Sequence, residues 1–283
     1  MKGLPEPIID FHVHLFPDRM FDAIWEYFLK NYAWDVKPRL YYRQCVEFLR
    51  EHGVGPIVYS NYAHRAGIAD GLNEWNLKTL EEFDELYCFG AYHPGDENAL
   101  AMAARFLDHP KALGFKLQLL VQRFHPHDER LFPLYEMIMA KGKRLLLHAG
   151  TGPVGHEFVG LEHFRKLMER YPELPVNVAH MGALEYQGFM DLLDDCPNMM
   201  MDTAFVFFPG VEGGYNLGGE LLEKHRDRIV YGSDFPNLLL PREAEIEGLL
   251  GYGLSREFYG KVFYGNGAEL IRAHAGNDRL GGS

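Results

Sequence analysis

The sequence predicts a single-domain α/β protein, a (β/α)8 (TIM) barrel with a metal site at the C-terminal mouth of its strands. Eight short apolar or β-branched runs alternate with segments of helical spacing. This alternation implies parallel strands joined by right-handed crossovers, and eight such units close a barrel instead of leaving an open sheet. The sequence has no glycine-rich GxGxxG or GxxxxGKS loop that would favour an open nucleotide-binding sheet.

Each predicted strand is bounded by glycine, proline or polar residues, as strands usually are. The predicted strands span residues 8–14, 56–60, 87–92, 112–118, 144–150, 176–180, 199–203 and 229–233. The clearest helical segments between them span residues 97–107, 129–141, 161–170, 219–226 and 242–250. Strand and helix therefore alternate throughout the chain.

The length and composition of the chain favour one domain. Its 283 residues suit one barrel, because single α/β barrels of roughly 250 residues are common. Hydrophobic residues make up 47% and charged residues 24%, and no linker marks a boundary, so we expect one domain over residues 1–283. The formal net charge of −12 opposes binding to nucleic acid or to an anionic membrane. We therefore expect a small-molecule partner.

The cysteines and the apolar segments predict a cellular compartment. Cys45, Cys88 and Cys196 are far apart and lack the CxxC spacing of zinc or redox sites, which predicts reduced core thiols. The N-terminal segment reaches a histidine pair within its first apolar run, which does not fit a cleaved signal. The sequence has no run of about 18 apolar residues, so it predicts no membrane-spanning helix. A reducing cytoplasm is the expected location.

The segment 15–40 is the longest predicted insertion, and it leaves the first strand at its C-terminal end. It is rich in aromatic residues: Phe16, Trp25, Tyr27, Phe28, Tyr32 and Trp34. Two interpretations are equally open. The insertion walls or covers the active-site mouth, or it is a peripheral helix that packs its aromatic side chains into the core.

The motif DFHVH, at the end of the first strand, is the strongest chemical signal. Side chains alternate across a strand, so His12 and His14 are expected on one side and Phe11 and Val13 on the other. Two imidazoles at the C-terminal mouth of a barrel make half of a metal site. A lone histidine would more often be a hydrogen-bonded core residue, but the pair favours a metal.

Three other predicted strands end in the same way. The runs RLLLHAG, VNVAHMG and IVYGSDFP deliver His148, His180 and Asp234 after several apolar residues. Each residue alone could cap a helix or complete a turn. Coincidence would have to place all of them at the same mouth, so we expect them to form one site.

These motifs together resemble a known family. The set DFHVH, LLLHAG, VAHMG and YGSDFP is similar to the amidohydrolase superfamily, specifically amidohydrolase family 2. That family includes metal-dependent hydrolases and decarboxylases of the aminocarboxymuconate-semialdehyde and resorcylate type. The runs GFKLQ and VFYGNGAELI extend the resemblance over nearly the whole chain. The motifs are specific for fold and metal and say little about the substrate, and the resemblance makes a homodimer plausible.

The resemblance also implies roles for the strand-end residues. His12, His14 and His148 would be metal ligands, Asp234 a ligand that also handles a proton, and His180 a group that orients or deprotonates water. Such a ligand set suits one divalent ion, Zn²⁺ first, with Mn²⁺, Fe²⁺ or Co²⁺ as substitutes. The ion lowers the pKa of bound water towards ~7. Asp234 or His180 can then accept a proton and return it to the leaving group, so these two are the predicted catalytic residues.

Three cationic residues are candidates for substrate binding. Lys116 lies within an apolar strand and is expected to point into the mouth or to extend past its rim. It could anchor a substrate carboxylate, or it could be a carbamylated lysine that bridges two metals, as in the binuclear branch of the superfamily. Arg65 and Arg123 follow the second and fourth strands and could hold an anionic substrate, although solvated loop charges are the more frequent outcome.

Other polar residues near strand ends carry weaker signals. Asp202 either reaches the site or caps a helix, and Asp10 is expected deeper in the barrel, where it could orient a ligand. Most of the remaining loop histidines are expected to be ordinary surface residues. They are His64, His93, His125, His127 and His156.

The sequence therefore predicts a mononuclear metal-dependent hydrolase that acts on an amide, ester or lactone of a small carboxylated substrate. The alternative is a nonoxidative decarboxylase, a lyase that would use the same ligands. A third hypothesis is a barrel that has lost catalysis and serves as a binding protein. Retention of every predicted ligand argues against it, because a buried histidine cluster without a use would only reduce stability.

Overall fold

The computed structural model describes residues 7–275 and confirms the predicted barrel. Eight parallel strands form one sheet in the order β1 to β8, each paired with the next along the chain. The strands are β1 (Ile8–His14), β2 (Val54–Ser60), β3 (Leu86–Ala91), β4 (Ala112–Gln118), β5 (Arg144–His148), β6 (Val176–Val178), β7 (Met199–Asp202) and β8 (Ile229–Val230).

Helices follow the strands and form the outer layer. They are α1 (Asp18–Tyr32), α2 (Tyr42–Glu51), α3 (Ala69–Glu82), α4 (Ala99–Leu107), α5 (Leu119–Gln122), α6 (Phe132–Ala140), α7 (Leu161–Arg170), α8 (Tyr186–Asp195), α9 (Gly219–Lys224), α10 (Arg242–Leu250), α11 (Arg256–Gly260) and α12 (Asn266–Ala275). Among the described residues, no helix has the length and apolar character needed to cross a membrane.

The sheet closes through the chain that follows β8. The backbone N–H of His14 donates to the carbonyl of Phe235 at 2.7 Å, and the N–H of Asp234 donates to the carbonyl of His12 at 2.8 Å. The Asp10 carboxylate reinforces this closure, because it accepts the Ser233 hydroxyl at 2.6 Å and the Ser233 N–H at 3.1 Å. Closure therefore brings the ends of β1 and β8 together.

The interior of the barrel is filled by a cluster of apolar side chains from strands around the whole sheet. Phe11 and Phe89 pack edge to face in this cluster, with ring centroids 6.2 Å apart, and α12 contributes Ala268 and Ile271. Val13 belongs instead to the larger cluster shared with the outer helices. A register shift in the β1–β2 pairing between Asp10 and Val13 explains why β1 departs from the strict alternation expected from the sequence.

Four strands, β5, β6, β7 and β8, are shorter than the apolar runs that predicted them. β6 ends at Val178, and a 3-10 turn over Ala179–Gly182 follows it, with His180 and Met181 at positive φ. β8 ends at Val230, and Asp234 also has a positive φ of 63°. The chain thus leaves the sheet before it reaches His180 and Asp234.

The insertion folds as α1 and the chain that leads to α2. Phe21 and Trp25 of α1 are buried in the core, whereas Ile24 and Phe28 are only partly buried and face a cavity at the mouth of the barrel. The segment therefore combines the two interpretations of its aromatic residues. The cysteines at positions 45, 88 and 196 are buried and free.

Candidate metal centre

The two histidines of β1 and the aspartate that follows β8 form the centre of the candidate site. The Oδ1 atom of Asp234 lies 3.0 Å from His14 Nε2 and 3.3 Å from His12 Nε2. His12 is fully buried and His14 is nearly so. These three side chains present one ligand atom each within 4.8 Å of one another, which is close enough for one ion to contact all three.

Hydrogen bonds on the far side of each ring fix which nitrogen faces the site. His12 Nδ1 lies 2.9 Å from Asp202 Oδ2, and His14 Nδ1 lies 3.3 Å from the Ser60 carbonyl. Both acceptors assign the hydrogen to Nδ1, which leaves a lone pair on each Nε2. Two imidazole lone pairs therefore face a carboxylate oxygen that accepts no hydrogen bond from the described residues. This arrangement suits a divalent cation, so the residues fit the metal implied by the sequence.

The electrostatics keep these groups in the protonation states that a cation needs. Burial lowers the pKa of His12 to about 4, although Asp202 opposes the shift, so the ring is neutral at pH 7. Burial alone would raise the pKa of Asp234, but His14 and His12 hold it below its ordinary value. A neutral imidazole beside an ionised carboxylate is the ligand combination of zinc sites.

His148, at the end of β5, reaches the same mouth but does not belong to this closest group. Its Nε2 donates to the Gly152 carbonyl at 2.8 Å, which leaves Nδ1 as an acceptor 3.4 Å from Gln118 Nε2. Burial lowers the pKa of His148 well below its ordinary value, and the neighbouring His180 and Lys116 add to this shift. His148 is therefore a neutral imidazole, and its Nδ1 carries the lone pair that is available to a metal ion.

His180 lies between His12 and His148, with ring centroids 5.1 Å and 5.0 Å away. Its Nδ1 lies 2.9 Å from the Ala204 carbonyl, and its backbone N–H donates to Asp202 at 2.9 Å. The backbone of His180 is left-handed, with φ 57° and ψ 29°, a conformation that β-strands do not use. The Nδ1–H bond leaves Nε2 free to exchange a proton.

Asp202 supports both histidines from the end of β7. Its Oδ2 accepts from His12, and its Oδ1 accepts from the backbone of His180 and, at 3.2 Å, from the backbone of Ala204. Burial raises the pKa of Asp202, but His12 and His180 more than offset this, so the net shift is downward. The sequence left the role of Asp202 open between site and helix cap, and the structure places it in the site.

The structure separates the three cationic residues. Lys116 is fully buried, with Nζ 3.4 Å from His12 Nε2, and burial lowers its pKa to about 8. It does not line the mouth cavity that is formed by the described residues. Arg65 and Arg123 are exposed and also lie outside that lining, so their predicted contact with substrate has no geometric support.

A cavity of about 680 Å³ opens above the candidate metal centre. His14, His148, His180 and Asp234 lie in its wall. Most of the remaining lining is apolar or aromatic and comes largely from the insertion: Phe16, Met20, Ala23, Ile24, Tyr27, Phe28, Tyr32 and Trp34.

Arg19, an exposed residue of α1, is the arginine of this lining. Sequence reasoning missed it, although its position in an insertion expected near the mouth was a usable signal. His64 also lines the cavity, whereas His93 and His156 do not. Asp10 accepts hydrogen bonds from the N–H and hydroxyl of Ser233 and, at 3.2 Å, from the N–H of His12, so it holds the backbone of a predicted ligand.

A (β/α)8 barrel with two histidines of β1 and an aspartate after β8 meeting at its mouth is the architecture of a metal-dependent enzyme. The comparison with known families agrees with this class. The chain belongs to the amidohydrolase family, whose model, described as Amidohydrolase, matches residues 9–273. The family comprises metal-dependent hydrolases and decarboxylases, and this chain is an enzyme of that family.

Solved structures with the same fold include both kinds of enzyme. An uncharacterised TIM-barrel protein from Bordetella bronchiseptica is 19% identical, with a TM-score of 0.74 over 95% of this chain and 99% of that one. The 5-carboxyvanillate decarboxylase of Sphingomonas paucimobilis is 15% identical, with a TM-score of 0.67 over 95% and 99%. A putative 2-pyrone-4,6-dicarboxylic acid hydrolase from Pseudomonas putida is 20% identical, with a TM-score of 0.63 over 95% and 99%. A search of curated proteins found no match.

Proposed function

We propose that this protein is a hydrolase that uses one divalent ion to add water to an amide, ester or lactone of a small carboxylated substrate. The observation that carries the proposal is the convergence of His12 Nε2, His14 Nε2 and Asp234 Oδ1 beside the ring of His180. His12, His14, His148 and Asp234 would hold the ion. When bound there, it would supply a Lewis acid and lower the pKa of water in the mouth.

The chain's own residues provide the proton transfers. His180 has Nδ1 engaged with the Ala204 carbonyl, so its Nε2 can take a proton from water and give it to the leaving group. Asp234 has a depressed pKa, so it enters the reaction as a carboxylate that can accept a proton. Asp202 accepts hydrogen bonds from the His12 ring and from the backbone of His180, which fixes the position of the two histidines relative to each other.

We propose Zn²⁺ as the ion, because neutral imidazoles and one carboxylate are typical ligands of catalytic zinc. Mn²⁺, Fe²⁺ and Co²⁺ accept the same donors. A related structure, the 5-carboxyvanillate decarboxylase of Novosphingobium aromaticivorans, contains manganese, which supports testing Mn²⁺ first among these substitutes. We also propose a reducing cytoplasm as the location, since the three cysteines are buried thiols without disulfides.

The cavity indicates the kind of substrate. Its aromatic wall favours a flat or ring-shaped body, because aromatic faces stack on planar groups. Arg19 provides the positive charge that a carboxylate needs at the outer part of this wall. A small ring-bearing carboxylic acid or lactone fits both features, and we propose it as the substrate class.

Lys116 has two proposed roles, which its position beside His12 does not separate. As an anchor it would attract a substrate carboxylate drawn towards the ion, and Lys116→Ala would raise KM while metal content stayed unchanged. As a carbamylated bridge it would help to hold a second ion at the mouth, and Lys116→Ala would lower the metal content. Elemental analysis and KM measured on the same preparation of the variant distinguish the two roles.

A second candidate function is nonoxidative decarboxylation of an aromatic acid. The aromatic lining favours it, and related structures include 5-carboxyvanillate decarboxylase and 2,6-dihydroxybenzoate decarboxylase. The same four residues would hold the ion, which would supply the positive charge that binds and polarises the substrate carboxylate. In that case His180 or Asp234 would protonate the ring carbon from which carbon dioxide departs.

The deciding experiment incubates protein loaded with Zn²⁺ or Mn²⁺ with a panel of aromatic carboxylic acids, lactones and N-acyl amino acids. Mass spectrometry follows the products, and a coupled assay follows carbon dioxide. We expect a lactone to yield one product that has gained one water, and an amide or ester to yield two products that together equal the substrate plus one water, without release of carbon dioxide. Release of carbon dioxide would replace hydrolysis by the lyase reaction. Metal binding without turnover of any compound would favour a binding protein instead.

A further inference from the structure

A second histidine cluster lies outside the mouth of the barrel. His125 and His127 follow α5, His163 lies in the first turn of α7, and none of the three lines the mouth cavity. One ring nitrogen of each lies within 4.8 Å of the other two. We propose that these residues, the three-histidine site, bind a further divalent transition metal ion such as Zn²⁺, Ni²⁺ or Cu²⁺.

The spacing of the nitrogens suits a tetrahedral ion. His127 Nε2 and His163 Nδ1 are 3.1 Å apart. Two imidazole nitrogens that bind one Zn²⁺ at about 2.0–2.1 Å in tetrahedral geometry lie about 3.3 Å apart. The separation of these two nitrogens therefore differs from that of a pair sharing one ion by only a few tenths of an ångström. The ring of His125 is tilted by 31° against that of His163, with centroids 4.3 Å apart, and one of its nitrogens lies within 4.8 Å of the other two ligand nitrogens.

The hydrogen bonding of the cluster is incomplete without an ion. His127 and His163 face each other through two nitrogens, and only one of these can donate while the other accepts. His125 Nδ1 is buried and has no hydrogen-bond partner among the described residues. Buried polar atoms are ordinarily paired, and an unpaired one calls for a specific explanation. A bound ion would use the lone pairs of all three rings.

The ligands of the three-histidine site are imidazole nitrogens, because the neighbouring carboxylates already form ion pairs. Lys166 pairs with Glu162 at 2.8 Å, and Arg130 pairs with Asp128 at 2.6 Å. These carboxylates are therefore engaged by cations. Three imidazoles favour Zn²⁺, Ni²⁺ and Cu²⁺ over Ca²⁺ or Mg²⁺, which prefer oxygen ligands. Each of the three histidines is partly exposed, so the ion can enter from solvent and can complete its shell with water.

The position of the three-histidine site links it to the wall of the mouth cavity. The ring of His125 packs on Phe158, with centroids 5.0 Å apart, in the segment 149–160 between β5 and α7. Pro153 and Val154 of the same segment line the cavity. An ion bound by His125, His127 and His163 would join the chain after β4 to the start of α7 and would thereby brace this segment from outside.

The test counts ions per chain. The full-length protein is dialysed against a small excess of Zn²⁺, and zinc is measured by elemental analysis. We expect two equivalents in the wild type and one in the double variant His127→Gln/His163→Gln. The matched control is His156→Gln, a neighbouring histidine that stacks on Phe158 but lies outside the cluster, and it should retain two. The double variant His12→Ala/His14→Ala should lose the mouth ion and keep the peripheral one.

This last variant separates the inference from the proposed function, because the peripheral ion can be counted whether or not the mouth is active. A wild type that binds no zinc, or one equivalent that is lost in His12→Ala/His14→Ala, would overturn the inference. So would a second equivalent that persists in His127→Gln/His163→Gln, since that result assigns the ion to a binuclear mouth with Lys116. Should the double variant fail to fold by circular dichroism, His127→Gln and His163→Gln alone should each raise the Kd of the peripheral ion at least tenfold, and an unchanged Kd in both would refute the site.

Discussion

At the scale of single residues, the candidate metal centre depends on which nitrogen each histidine presents. The β1 histidines point Nε2 at the site because Asp202 and the Ser60 carbonyl engage their Nδ1 atoms. His148 does the reverse, since Gly152 engages its Nε2. The supporting acceptors thus determine the donor atoms as much as the histidines do, and their loss should weaken metal binding without removing a ligand.

Asp202→Asn tests this supporting role. The amide keeps the size of the carboxylate but removes the negative charge that orients His12, so we expect metal affinity to fall about 10–100-fold with the fold retained. Affinity is measured by competition with a chromophoric chelator. Asp195→Asn, an exposed carboxylate on the preceding helix, is the control and should bind metal as the wild type does. Wild-type affinity in Asp202→Asn would remove this residue from the centre.

His180 should be separable from the ligands. His180→Asn should keep the fold and most of the metal, yet lose kcat by about 10²–10⁴ with KM much less affected, because a general base is removed. His12→Ala and His148→Ala should instead lower metal occupancy. Metal content and kcat are measured on the same preparations, with any substrate that the panel provides.

Two results would contradict this role for His180. Full activity in His180→Asn would remove the residue from the mechanism. Metal loss as large as that of His12→Ala would make His180 a ligand, and one of the four proposed ligands would then need reassignment. The second result would have a geometric explanation. His12, His180 and Asp202 also present ligand atoms within 4.8 Å of one another, so they could hold an ion together.

The sequence predicted the strand-end residues of the site, because apolar runs that end in one polar residue are visible in a single chain. It could not predict the left-handed backbone of His180 and Asp234, since that conformation arises where the chain leaves the sheet. The sequence also could not predict which ring nitrogen each histidine presents to the metal. That depends on hydrogen-bond acceptors such as Ser60 and Asp202, which are distant along the chain.

At the scale of elements, α1 determines the shape of the mouth. Its buried residues Phe21 and Trp25 stack with centroids 5.4 Å apart and attach the helix to the core. Ile24 and Phe28, which flank these anchored residues on the helix, line the cavity together with Arg19 of the first turn. A helix attached to the core in this way holds its cavity-lining side chains in place, so α1 should influence substrate selection more than the chemical step.

Arg19→Gln tests this division. Loss of one charge-assisted contact to a carboxylate costs about 1.5–3 kcal/mol, which corresponds to a KM raised roughly 10–100-fold with kcat little changed. Lys30→Gln is the matched control, because Lys30 is an exposed cation of the same helix that does not line the cavity. Steady-state kinetics with a carboxylated substrate and its uncharged ester decide the outcome. An equal change in KM for both substrates would contradict a carboxylate contact.

The strand predictions succeeded where pairing and burial coincide. β1 and β4 match the predicted bounds, since their apolar runs are also their hydrogen-bonded lengths. β6 and β8 are shorter than predicted because their last residues stay buried while the backbone turns towards the mouth. The hydrophobic pattern of a sequence indicates which residues are buried. It cannot show where the hydrogen bonding between neighbouring strands ends.

At the scale of the whole molecule, the fold keeps several ionisable groups away from water. Glu245 of α10 is fully buried, and its Oε1 accepts the Val206 N–H at 2.7 Å, which ties α10 to the chain after β7. Burial raises the pKa of Glu245 well above its ordinary value, and the hydrogen bonds from Phe207 and Val206 only partly oppose this. The folded protein therefore holds this proton more tightly than the unfolded chain does.

The sign of the effect on stability follows from proton linkage. Above the ordinary pKa of 4.5 the unfolded chain loses the proton while the folded protein retains it, so the free energy of unfolding falls as pH rises until the folded pKa is reached. In Glu245→Gln the side chain keeps an oxygen for Val206 and never ionises. We therefore expect its stability, relative to wild type, to increase as the pH rises from 4.5 to the folded pKa of Glu245.

Urea unfolding of Glu245→Gln at a series of pH values, with metal concentration held constant, measures this difference. The variant and the wild type should be similar near pH 4.5, because the protonated acid and the amide meet the same surroundings. Glu247→Gln, an exposed glutamate on the same helix, is the control and should differ from wild type by less than about 0.5 kcal/mol at every pH. If the stability difference for Glu245→Gln were as independent of pH as that of the Glu247→Gln control, Glu245 would be ionised in the folded protein. Its burial would then need a cation to balance the charge.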